Sequence, residues 1–135
     1  MKLLLIIFLL PFTSTPIGYR ELKWSDFKGK PTNDHAASTC TGIVIEKDTA
    51  YAIFEPEKSW TRTANPATLR HEQVHFAITR EYAILISNQL KYGWGFEYIS
   101  KTLDEWGDKE MQYDKQTDHG RDSTAQRRWE EQIKL

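Results

Sequence analysis

A single cysteine, Cys40, is all that 135 residues supply, so no internal disulfide framework can staple the chain. Neither charge is in excess: 18 Lys and Arg face 19 Asp and Glu, for a formal net charge of −1. That balance excludes the basic stripe of a nucleic-acid binder. No apolar run reaches the ~20 residues that a transmembrane helix needs. Repeats, low-complexity tracts and linkers are also missing. What remains is 39% hydrophobic and 13% aromatic, enough for one packed domain rather than a disordered chain. A domain of this length buries roughly two thirds of its unfolded surface.

The longest apolar stretch is LLLIIFLL, which follows Met1 and Lys2. One positive charge before about eight to ten apolar residues has the pattern of a secretory signal. The expected organisation is a leader over 1–18 and a single domain over 19–135, secreted or periplasmic once the leader is removed. Loss of Lys2 would take the net charge from −1 to −2. No cysteine stands at the end of the run to carry a lipid anchor. Cys40, a lone thiol in an oxidising compartment, reads as a small buried residue on a strand.

Residues 19–35 are broken by Gly29, Pro31 and Asn33 into a short element and a loop. Ala37 to Ile45 and Ala50 to Phe54 are extended runs joined by a polar connection, the pattern of a β-hairpin. Asn65-Pro66 starts a helix, with Asn as the cap and Pro in the first turn. His71, His75, Ile78, Tyr82, Leu85 and Gln89 then share one helical face as far as Tyr92. Gly93 is the expected C-terminal cap. A second helix carries Phe96, Ile99, Leu103, Trp106 and Tyr113 to Gly120, with Gly107 a weak point. Ser123 and Gln126 form a capping-box pattern for a third, short helix. The expected class is α+β: a short hairpin or sheet packed on an antiparallel helix pair, with a C-terminal helix.

The chemistry concentrates in His71-Glu72-Gln73-Val74-His75. Two histidines four apart on a helix stand about 40° and about 6 Å from each other, so both imidazoles can converge on one ion. Glu72 sits beside them, where it reaches a water rather than the metal. This is the H-E-x-x-H zinc pattern. Zinc brings the pKa of a bound water toward about 7, and Glu72 can take its proton as general base. Zinc over other divalent ions is an inference from ligand type.

Catalytic zinc usually has a third protein ligand. One template places a third histidine six residues after the second, beyond a bending glycine. Here those positions hold Glu81 and Ile78, so the helix runs on, and Glu81 lies about 9 Å along the axis from His75. The short Gly93-Trp94-Gly95 connection instead implies antiparallel helices whose facing residues have numbers summing to roughly 188. Glu97 and Glu105 are then too distant. The stretch YDKQTDHG, residues 113–120, faces the histidines. His119 is the first candidate there, with Glu110, Asp114 and Asp118 as carboxylate alternatives. Asp114 or Asp118 could instead hold the free N–H of a liganding histidine. Tyr113 has two readings, a donor to a developing oxyanion or ordinary helix packing. His35 falls in a polar loop, exposed or else stabilising substrate.

LKWSDFKGKP, AASTCTGI, FEPEKSW, LRHEQVHFAITREYA and YDKQTDHG, in this order, resemble the bacterial family known as domain of unknown function 922, whose members are predicted secreted zinc-dependent proteases. The resemblance spans Leu22 to the last helix. It implies that His71, Glu72 and His75 are the family's motif and that His119 lies in its Tyr-Asp-x-x-Thr-x-His segment.

The leading expectation is a small zincin-like domain acting as a secreted zinc metallopeptidase: His71, His75 and His119 hold Zn2+, Glu72 activates water, and a peptide or protein is the substrate. The hairpin edge could bind an extended peptide by strand addition. Two alternatives stand beside it, a non-catalytic zinc-binding or structural module and an amidase acting on cell-wall peptides. No nucleic acid is expected, and no membrane contact after leader removal.

Overall fold

The computed structural model describes residues 17–134 and, for the backbone alone, Lys2–Ile6. The rest of the segment read as a leader, residue 1 and residues 7–16, lies outside the described residues. Five strands and three helices follow in the order β1 (Lys2–Ile6), β2 (Ala37–Ser38), β3 (Cys40–Glu46), β4 (Thr49–Phe54), β5 (Trp60–Thr61), α1 (Pro66–Lys91), α2 (Phe96–Thr117) and α3 (Ser123–Ile133). Single 3₁₀ turns occupy Trp24–Asp26 and Pro56–Lys58. Strands and helices are segregated along the chain, the α+β arrangement.

The hairpin forms where alternation and β-branching place it. β3 and β4 pair antiparallel from Thr41↔Phe54 to Glu46↔Thr49. The turn is tighter than the four-residue connection expected, because Glu46 and Thr49 join the ladder and Lys47 takes a left-handed φ of 56°. β1 runs parallel to β3 on its other edge, with Lys2↔Cys40 and Ile6↔Val44. β2 is not a continuation of β3. It breaks away at Thr39 and pairs with β5, Ala37↔Thr61 and Ser38↔Trp60.

Asn65 caps α1 as expected, accepting from the Ala67 N–H at 2.8 Å. The helix runs 26 residues and packs on two sides. Phe76, Ala83 and Ile86 are buried with Ile43 and Phe54 of the sheet. Trp106 and Tyr113 of α2 and Trp129 of α3 belong to the same core. Each such fully buried side chain is worth about 1.5–3 kcal/mol. Two-sided packing also explains why Leu85, placed on the expected face, is 42% exposed while Ile86 is fully buried. The segment before the hairpin is tied down as well. Leu22 N–H donates to Gln73 Oε1 at 2.7 Å, and Arg20 forms a two-pronged ion pair with Asp26.

Gly93 caps α1 with φ 73°, and Gly107 does not interrupt α2. α3 begins differently from the expectation. Asp122, not Ser123, is its N-cap, accepting from the N–H groups of Thr124 and Ala125. Gln126 is thereby freed from any capping box. No described helix is long and apolar enough to cross a membrane.

Candidate metal centre

His71 and His75 sit one turn apart on α1, both buried, with ring centroids 4.9 Å apart. Nε2 of each ring points at one oxygen: Asp114 Oδ1 lies 3.0 Å from His71 Nε2 and 2.9 Å from His75 Nε2. The donors of His71, His75 and Asp114 all fall within 4.8 Å of one another. Asp114 is one of the carboxylate alternatives to His119. Ring donors of His119 do not join this set. Its Nδ1 is 3.7 Å from the other oxygen, Asp114 Oδ2, and its side chain is 47% exposed.

The reason is where α2 ends. His71 meets Asp114, His75 meets Glu110, and Thr79 meets both Trp106 and Glu110. With the His75–Asp114 pair, these partner numbers sum to 185 or 189, around the 188 expected of an antiparallel pair. Asp114 is level with the histidines, whereas α2 stops at Thr117 and His119 falls in a turn where Asp118, His119 and Gly120 have φ of 48°, 53° and 83°. Asp118 is turned to solvent in an ion pair with Arg121.

The far side of each imidazole is also held. His75 Nδ1 is 2.6 Å from Glu110 Oε2, and Glu110 is completely buried. The other oxygen of Glu110 accepts from the Thr79 hydroxyl and the Trp106 indole. Thr41 reaches Thr79 from β3 at 2.7 Å. His71 Nδ1 is 3.1 Å from Gln126 Oε1. Gln126 cannot flip away, because its amide nitrogen donates to Glu130, which pairs with Arg70. With Nδ1–H donated to these acceptors, Nε2 of both rings is left for the centre of the site. Gln126 escaped the sequence reading because its partner is 55 residues away.

Tyr113 settles into its packing reading. Its ring stacks on His71 at 4.7 Å and 18°, and its hydroxyl donates to Gln126 Oε1 and the His71 carbonyl. Gly120 also lies against His71: a Cβ there would fall 2.9 Å from His71 Cγ.

Charges in this nest are strongly coupled. Burial works against a charged His75, but hydrogen bonds to Asp114 and Glu110 outweigh it and push its pKa up to about 10. Burial opposes charge on Asp114 too, yet the bonds from His71 and His75 hold its carboxyl well below the usual carboxylate range. Burial raises Glu110 and the Tyr113 phenol.

Glu72 is buried, and its Oε2 accepts a hydrogen bond from the Thr39 hydroxyl at the break between β2 and β3. Glu72, the two histidines and Asp114 open on one cleft of about 350 Å3. Its other wall is Asp34 to Thr39, with His119 and Arg121 at the rim. The segment beside the cleft is thus β2 and the loop before it.

No family model, no curated protein and no solved structure matches the chain. The resemblance noted above is therefore carried by its motifs alone.

Proposed function

We propose that the protein is a zinc-dependent hydrolase acting on peptide bonds outside the cytoplasm. The observation that carries this reading is the convergence of His71 Nε2, His75 Nε2 and Asp114 Oδ1 in a cleft that Glu72 shares. Ligands about 2.0–2.2 Å from a tetrahedral zinc stand on the order of 3.4 Å apart. The 2.9 and 3.0 Å spacings to Asp114 lie within about half an ångström of that, and the whole donor set lies within 4.8 Å. Two nitrogens and a carboxylate, each imidazole pinned through Nδ1, fit a donor set of two histidines and one carboxylate. Bound there, zinc would supply Lewis acidity, acidifying water and polarising a carbonyl.

The chain's own residues do the rest. Glu72, held in place by Thr39, takes a proton from the attacking water and returns it to the leaving nitrogen. Glu110 and Gln126 keep the two Nε2 atoms facing inward. Asp34 to Ser38 form the wall along which an extended peptide lies, β2 offering its backbone for strand addition in place of the hairpin edge. Secretion remains part of the proposal on the strength of the apolar N-terminal run.

The test is to express residues 19–135, measure bound zinc, and compare wild type with Glu72→Gln on a broad peptide mixture. About one zinc per chain is expected, with products that vanish in the variant. Equal product patterns would leave a non-catalytic zinc module. Absence of bound zinc would remove the metal reading.

A further inference from the structure

Two imidazoles stand outside the converging set yet over the same cleft. His35 comes from the loop before β2, and His119 from the turn after α2. Both line the cleft, with ring centroids 4.8 Å apart and planes tilted by 47°. His119 is fixed from two directions. Its N–H donates to the Asp114 carbonyl at 2.9 Å, and its Nδ1 is 3.7 Å from Asp114 Oδ2. The backbone holds it at φ 53°, a conformation that residues other than glycine adopt rarely.

Hydrolysis needs a hydrogen-bond donor where the carbonyl oxygen gains charge. Most nitrogen donors and hydroxyls of the site are already engaged. The Thr39 hydroxyl is given to Glu72, and the Tyr113 hydroxyl to Gln126 and the His71 carbonyl. The Arg121 guanidinium is paired with Asp118. Among the described nitrogen-bearing side chains that line the cleft, His119 and His35 are the two whose rings none of these hydrogen bonds engages.

The geometry points to His119, flanked by His35, as the catalytic donor to the developing oxyanion of the scissile peptide, a role that rests on the hydrolase reading above. Water loses a proton to Glu72 as its oxygen bonds to the carbonyl carbon. The carbonyl π pair moves onto the carbonyl oxygen, which accepts an N–H from His119. When that pair returns, the C–N bond breaks and the nitrogen takes the proton from Glu72. Asp114 thereby serves both sides of the reaction, one oxygen toward the histidine pair and the other toward His119.

The experiment uses the zinc-loaded chain, wild type against His119→Gly, which suits the left-handed backbone, and His35→Ala. Zinc per chain, kcat and KM on a cleaved peptide, and affinity for a peptidyl phosphonate are measured. His119→Gly should keep one zinc and a near-normal KM, lose kcat about a hundredfold, and bind the phosphonate correspondingly more weakly. His35→Ala should show the same pattern to a smaller extent. Unchanged kcat and phosphonate affinity in His119→Gly would overturn the assignment. So would loss of zinc, which would make His119 a ligand, or two zinc ions falling to one, which would make the rim a second metal site. A wild-type chain that cleaves no peptide overturns the hydrolase reading itself, and this assignment with it.

Discussion

Gly120 stands directly against the imidazole of His71, so close that a Cβ would lie 2.9 Å from Cγ and 3.0 Å from Nδ1. The same residue has φ 83°. Space and backbone conformation therefore both require glycine here.

Gly120→Ala should cost about 1–2 kcal/mol from the left-handed backbone alone, and should also push the His71 ring out of line. Thermal unfolding of the metal-free chain and a zinc titration would check this. The expected result is a lower Tm together with weaker zinc binding; loss of stability alone would show that the ring is not displaced.

Glu110→Gln keeps the shape of the buried side chain but removes the charge that His75 Nδ1 faces. Zinc affinity should fall by about tenfold or more. Gln126→Met, which removes a neutral acceptor from His71, should have a smaller effect, since bonds to charged groups are the stronger. Chelator competition on the two variants would give the order.

Zinc binding should depend on pH through His75. Its pKa, raised to about 10, means that the metal-free ring carries a proton at neutral pH, and a liganding nitrogen must lose it. Affinity should therefore rise with pH below about 10, by about tenfold per unit from pH 7 to 8. Calorimetry in buffers of different ionisation enthalpy should register about one proton released from this ring per ion. A pH-independent affinity would contradict the clamp on His75.

Gly29→Ala is the contrasting variant. A Cβ there would lie 2.8 Å from the carbonyl oxygens of both Glu57 and Ser59, none of the three residues lining the cleft. Destabilisation of about 1–3 kcal/mol is expected, with zinc affinity unchanged once the chain is folded. Denaturant unfolding beside a zinc titration would separate the two.

The sequence made the motif legible because an i, i+4 pair on a helix has fixed geometry, needing nothing from the rest of the chain. The hairpin, the caps Asn65 and Gly93, and the antiparallel helix pair were legible for the same reason: each is encoded within a few residues. The third converging donor was harder. Helix pairing brings residues 113–120 opposite the histidines, but which of them meets the pair depends on α2 ending at Thr117, which leaves Asp114 on the helix and His119 in the turn beyond it. Thr39 and Gln126 were beyond reach, since each finds its partner across the tertiary fold. Asp122 displaced Ser123 as cap because a carboxylate one residue earlier reaches two N–H groups at once.

The bond from Leu22 to Gln73 lashes the segment ahead of β2 to the middle of the motif itself. Any trimming of the N-terminus would thus have to stop short of Arg20 and Leu22. A cut further in would slacken the helical turn on which Glu72 is mounted, and so blunt the protein without touching any residue of the cleft.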